Sequence, residues 1–246
     1  MSPIVFGSMR MSQDKGDEEY WAELLRQAYH AGIDTIHSSM EYDSFTLLQS
    51  TLQRLSKIDN SIHFKHIVKL AEPHFSNDEY SSNRLNEKVN SYLEALQVDK
   101  LEAIQWMWRS NLSDQKRVVN FTKQSKQIKE GIDSLKRKGL IETALCFPYS
   151  VEFMRKALKL KVFDDFCVYR NPIEQEYDEI LSNCKKGTAV SIRPFFADKA
   201  FVVKEGPIKL LEYNFSEPAI RSTILSISSL SQLNEIKGFL NAKASF

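Results

Sequence analysis

The stretch WAELLRQAYHAGIDTIH, residues 21–37, sets the repeating unit of the chain. Trp21, Leu24, Leu25, Ala28 and Tyr29 recur at intervals of three and four, so one face of a helix is apolar. Gly32 then ends that helix, because glycine accepts the left-handed conformation that a C-terminal turn needs. The residues after it, 33–37, carry Ile33, Thr35 and Ile36 and predict a short strand.

Working outward, the same alternation fills the chain. A strand at 4–6 precedes the first helix, and a second helix with Phe45, Leu48, Leu52 and Leu55 on one face follows the strand at 33–37. Strand 64–69 leads to a helix through Leu85, Val89, Tyr92 and Leu96, and strand 101–107 to one through Ile128, Ile132 and Leu135 that stops at Gly139. Strand 140–147 is paired with helix 151–160, and strand 166–169 with a helix through Tyr177, Ile180, Leu181 and Cys184 before Gly187. Strand 188–193 with helix 208–215, and strand 223–226 with a helix through Leu230, Leu233, Ile236 and Leu240, complete eight units. Eight buried strands in an open sheet would leave two edges to protect, so the pattern predicts an α/β fold closed as a (β/α)8 TIM barrel, one domain over residues 1–246.

Composition narrows the function. The chain has 33 Lys plus Arg against 32 Asp plus Glu, a balance that gives no general field for nucleic acid or an anionic membrane. Cys146, Cys167 and Cys184 are far apart in sequence and lack metal-site or dithiol spacing, so no metal is expected. No apolar run approaches the ~20 residues that cross a bilayer, and the first residues do not read as a leader. A cytoplasmic protein acting on a small molecule is the expectation.

Barrels of this kind keep their chemistry at the C-terminal strand ends. Here those ends offer His37 with Tyr42 five residues on, Lys69, the run Met107, Trp108 and Arg109, then Arg170 and Arg193. A lysine beside a tyrosine favours the phenolate and makes the hydroxyl a better proton donor and acceptor near neutrality. Tyr42 and Lys69 are candidates for that pair; the alternative is a rim aromatic and a solvated cation. Arg109, Arg170 and Arg193 present guanidinium groups that match a carboxylate or phosphate, which predicts an anionic ligand. For Arg170 the alternative is an internal pair with Glu174 or Glu176.

These residues resemble the aldo-keto reductase family. In GIDTIHSSMEYDS, residues 32–44, Tyr42 matches the family's catalytic tyrosine, and Lys69 in HIVKL matches its catalytic lysine. His37 stands where the family has an aspartate, and in VDKLEAIQWMWR Met107 replaces the catalytic histidine while Trp108 keeps the tryptophan. The resemblance continues through GSMRM, KGLIETALCFPYS, VYRNP and SEPAIRSTILSISSLSQLNEI. It implies an NADP cofactor, with Gly7 and Ser8 at the first strand and Ser226, Ser228 and Ser229 at the phosphate loop. It also implies loss of the nicotinamide amide contacts, since Phe147, Pro148 and Cys167 replace the family's Ser, Asn and Gln. The N-terminal hairpin and long cofactor-covering loops of the family are not evident, and the stretch between Arg193 and Ile208 is short.

Three functions are compatible with this reading. One is an NAD(P)H-dependent carbonyl reductase with Tyr42, Lys69 and His37 as catalytic residues and Met107, Trp108, Arg109, Arg170 and Arg193 around the substrate. Another is a cofactor-free barrel that binds or transforms a small anion by elimination or isomerisation. The third is an interaction scaffold with Trp106 and Trp108 as contact residues.

Overall fold

The computed structural model describes residues 1–70, 75–76, 79–108, 112–196 and 198–244. Eight strands close into a barrel: β1 (Ile4–Gly7), β2 (Thr35–Ser38), β3 (Lys65–Lys69), β4 (Leu101–Met107), β5 (Ile141–Phe147), β6 (Asp165–Tyr169), β7 (Ala189–Ile192) and β8 (Ile220–Leu225). Their order around it is β1-β8-β7-β6-β5-β4-β3-β2. The helices are α1 (Glu18–His30), α2 (Phe45–Ile58), α3 (Ser82–Leu96), α4 (Asp114–Arg137), α5 (Val151–Leu160), α6 (Asp178–Leu181), α7 (Lys199–Glu205), α8 (Pro207–Phe215) and α9 (Leu230–Ala244). The expected TIM barrel is therefore present. The residues cluster in two compact units, Met1–His66 with Tyr169–Phe246, and Ile67–Val168.

In the first unit the boundary between α1 and β2 follows from the glycine. Gly32 has φ +89°, and the Ile33 N–H returns to Ala28 O at 2.9 Å, which closes the helix and delays the strand to Thr35. The Asp17 carboxylate starts α1 by accepting from the Tyr20 N–H at 2.9 Å. Trp21, Leu24, Leu25 and Ala28 pack in one cluster with Ile4, Phe6, Ile36 and Leu225 of the strands and Leu233 and Ile236 of α9. Each leucine, isoleucine or phenylalanine among them contributes about 1.5–3 kcal/mol by leaving water. Strand residues alternate between faces, so with Ile4, Phe6, Ile36 and Leu225 turned to the helices, Val5, Gly7, His37 and Ile224 turn to the barrel interior.

The second unit is held by aromatic packing outside the strands. Trp106 lies 4.9 Å from Phe163 and 6.3 Å from Phe121 between ring centroids, and Phe121 lies 4.6 Å from Phe153. Ser81, Ser113 and Ser150 cap α3, α4 and α5 through their hydroxyls. Ser150 Oγ also donates to Asp114 Oδ2 at 2.6 Å, tying the start of α5 to the start of α4.

The structure departs from the expectation in three places. A two-stranded antiparallel ribbon, Phe75–Ser76 against Glu79–Tyr80, follows β3; the Tyr80 N–H donates to Gln124 of α4, and Tyr80 sits against Gly131, where a Cβ would come within 1.8 Å of the phenol oxygen. The sixth helix is only Asp178–Leu181. An additional helix, α7, occupies the segment before α8; it buries no residue, so its sequence KAFVVKE carries no core-facing period to read. Among the described residues no helix is long and apolar enough to cross a membrane, and no group of three or more His, Cys, Asp or Glu could hold a metal ion.

Candidate active site

In the first unit, Gly7 of β1 pairs in register with His37 of β2, and both face the interior at the C-terminal strand ends. His37 is buried, and the half-buried Tyr42 places its ring centroid 6.3 Å from the imidazole, tilted by 52°. Two turns fix Tyr42: its N–H donates to Ser39 O at 3.0 Å, and its carbonyl accepts from the Phe45 N–H, the first residue of α2, at 2.9 Å. His37 and Tyr42 are thus brought together by the six-residue loop 39–44 and the helix start.

The second unit carries Lys69 at the end of β3. The side chain is half-buried, its carbonyl accepts from Tyr92 Oη at 2.9 Å, and it stands in register with Gln105. Since Lys69, Gln105, Met107 and Phe147 share a face by register and alternation, the unit offers a row of one cation, one amide and two apolar groups. Gln105, buried at 3% exposure, is a polar member that the sequence reading missed; its signal is the break it makes in the apolar series Ala103, Met107.

Two expected substrate residues are placed elsewhere. Arg170 is buried, with Nε donating to Asp178 Oδ1 at 2.9 Å, Nη2 to Asp178 Oδ2 at 3.3 Å, and Nη1 to the carbonyls of Tyr213 and Asn214. It clamps α6 to α8 with four of its five N–H groups, and its side chain is 6% exposed, so the structure places it as an internal tie rather than at an open strand end. Its partner is Asp178, not Glu174 or Glu176. Trp108 shares a face with Trp106 two residues earlier, and the two rings meet edge-on at 5.8 Å with both side chains fully buried. That alternation assigns Trp108 to packing and leaves Met107 on the other face; it also removes both tryptophans as surface contacts. Arg109 lies outside the described residues. Arg193 remains, at the end of β7, with its side chain 38% exposed.

The residues expected to hold a dinucleotide divide in two. At the phosphate end, Ser226 is not among the residues with positive φ, so replacing the family's glycine introduces no strain there. Gly7 is close-packed, with a Cβ meeting Ser226 Oγ at 3.2 Å, and Ser8 Oγ is buried with no hydrogen-bond partner among the described residues. Ser229 Oγ accepts from the Gln232 N–H at 3.2 Å, while the Ser228 N–H donates to Gln232 Oε1 at 2.8 Å. This reciprocal cap shows amide and hydroxyl donors at the start of a fifteen-residue helix already answering an acceptor, the donor set a phosphate requires. At the amide end, Phe147 and Cys167 are buried and present no strong donor or acceptor, so those positions do not fit a carboxamide.

The sequence profile of the Aldo/keto reductase family matches residues 3–191. No curated protein matches the sequence. Among solved structures, a Pseudomonas aeruginosa protein assigned to the aldo-keto reductases is similar at TM-score 0.74 and 21% identity, covering 100% of this chain and 91% of its own. An aldo-keto reductase from Bacillus halodurans in its holo form has TM-score 0.71 and 14% identity, over 98% and 86% of the two chains. Another from Klebsiella pneumoniae, in complex with NADPH, has TM-score 0.68 and 14% identity, over 97% and 85%. At these identities the structural likeness is one of fold.

Proposed function

Because the chain belongs to the aldo/keto reductase family, we propose that it is an NAD(P)H-dependent carbonyl oxidoreductase in which Tyr42 transfers the proton. The observation that carries this reading is the phenol of Tyr42, fixed by two turns beside buried His37 at an interior strand end. A reduced nicotinamide, when bound, supplies hydride to a carbonyl carbon. Tyr42 gives its hydroxyl proton to the carbonyl oxygen, and Lys69, the family's lysine, favours the phenolate left behind. His37 takes the aspartate's place, exchanging a carboxylate for an imidazole that can donate and accept hydrogen bonds.

Ser228 and Ser229 are the groups that would receive a phosphate of the cofactor, together with the backbone near Gly7, Ser8 and Ser226. Phe147, Pro148 and Cys167 leave the amide unheld, so the nicotinamide ring is positioned by shape. Loose positioning lowers the rate of the chemical step more than it lowers affinity. Met107 and Phe147 supply apolar surface for the substrate. The same missing amide contacts favour a second reading, a cofactor-free barrel binding a small anion, which predicts no NADPH binding at all.

The test is NADPH consumption with 4-nitrobenzaldehyde by wild type, Tyr42→Phe and Lys69→Met. The reading expects Tyr42→Phe to lose about 10²–10⁴-fold in kcat with NADPH affinity retained. Lys69→Met should move the basic limb of the pH profile upward. A Tyr42→Phe enzyme turning over at the wild-type rate would remove the tyrosine from the chemistry.

A further inference from the structure

β7 stops at Ile192, and the next residue, Arg193, has φ +57°, a left-handed conformation uncommon for a residue with a side chain. Phe196, three residues later, has φ +51°. Strain of this kind persists only where neighbours over-determine it, and it concentrates at functional sites. The neighbours are identifiable. Asn171 Nδ2 donates to Arg193 O at 2.9 Å, and the Phe196 N–H donates to the same oxygen at 2.9 Å. Asn171 is fully buried; its Oδ1 accepts from the N–H groups of Ile173 and Glu174, both at 2.9 Å, and its Nδ2 also donates to Glu174 Oε2 at 2.6 Å.

This scaffold aims the guanidinium. It lies over the Tyr169 ring, 4.8 Å from the centroid, and 5.4 Å from that of Phe196. Nη1 sits 3.1 Å from Glu174 Oε1, and the Glu174 side chain is only 17% exposed. Neither Nε nor Nη2 of Arg193 has an acceptor among the described residues, although the side chain is 38% exposed. One edge of the fork is thus neutralised by a carboxylate fixed through Asn171, the plane is stacked, and two donors just beyond the C-terminal end of β7 are open. That donor pair matches the two oxygens of a carboxylate or phosphate.

We propose that Arg193 is the receptor for a carboxylate on the substrate, and that Glu174 is a built-in competitor setting how tightly the anion is held. The assignment of this anion to a substrate rests on the reductase reading. Glu174 spreads the guanidinium charge over two acids, so removing its charge leaves the full cation for the ligand. A phosphate of the cofactor is the other source of the same chemistry.

Calorimetry on the full chain separates these. Benzoate is titrated into wild type, Arg193→Gln, Arg193→Lys and Glu174→Gln, and NADPH into the same four. Saturable benzoate binding is expected in wild type, at least tenfold weaker in Arg193→Gln, as losing a charged bidentate contact implies. Arg193→Lys, which keeps the charge but not the fork, should fall between, and Glu174→Gln should bind benzoate severalfold tighter. NADPH affinity should be the same in wild type and Arg193→Gln. Benzoate binding is read without turnover, so a failure of reductase activity leaves this test intact. With turnover, the preference in kcat/KM for 4-carboxybenzaldehyde over its methyl ester should drop about tenfold in Arg193→Gln. The proposal is overturned if folded Arg193→Gln holds benzoate like wild type, if wild type does not bind it, if Glu174→Gln binds it more weakly, or if Arg193→Gln loses NADPH instead.

Discussion

Arg170 and Arg193 follow β6 and β7, each lies over a tyrosine ring, at 4.4 Å from Tyr213 and 4.8 Å from Tyr169, and each meets a carboxylate, at 2.9 and 3.1 Å. Their surroundings differ: the side chain of Arg170 is 6% exposed and that of Arg193 38%. Arg170 distributes its donors over Asp178 and two backbone carbonyls, whereas Arg193 uses one nitrogen. Arg117 in the other unit is also stacked, at 4.5 Å over Tyr149, paired with Asp114 and donating to Leu112 O; its Nε has no hydrogen-bond partner among the described residues, but the side chain is only 12% exposed. Stacking and pairing are therefore common to both kinds of arginine. What separates a clamp from a receptor is an unfilled edge on a side chain that solvent reaches, which Arg193 has and the buried Arg117 Nε lacks.

The comparison breaks most visibly at its closed end. Arg170→Met takes the guanidinium from Asp178, which keeps only the Tyr213 hydroxyl as a donor among the described residues, and from the carbonyls of Tyr213 and Asn214, and should cost about 3–5 kcal/mol in urea denaturation. A loss under about 1 kcal/mol would mean that Arg170 is no clamp.

His66 sharpens the contrast, because it is a buried base with no hydrogen-bond partner at Nδ1 among the described residues. Burial alone lowers its pKa to about 4, so protonation favours the unfolded chain. Stability is at its full value above the unfolded pKa of about 6.5 and declines as pH falls toward 4, by about 3 kcal/mol in all. Denaturation at pH 7.5 and 4.5 should show this decline in wild type and a flatter profile in His66→Phe; equal slopes would place the pH sensitivity elsewhere.

The smallest effect is at the open end. Arg193→Gln removes one partly exposed ion pair and should change stability by less than about 1 kcal/mol while weakening anion binding. A loss comparable to that of Arg170→Met would make Arg193 another clamp.

Much of this architecture was legible in the sequence. The apolar period of Leu85, Val89, Tyr92 and Leu96 gave the buried face of α3, and 101–107 and 151–160 matched β4 and α5 to the residue, because packing against a core writes its spacing into the chain. Where no core face exists, as in α7, nothing was written. The site was less legible because partner choice depends on the fold. Arg170 has acids four and six residues away and takes the one at eight, while Glu174 goes to Arg193 across a loop. Asn171 looked like one polar residue in VYRNP, yet it fixes the strained turn that aims Arg193. Trp108 matched a family motif, but strand alternation turned it away with Trp106.

The most direct test of the reductase assignment is titration of the purified protein with NADPH, followed by nicotinamide fluorescence. A saturable change, weakened when Ser228 and Ser229 are replaced by proline or aspartate, is the expected result. No saturable change up to millimolar NADPH, in protein shown to be folded, would contradict it.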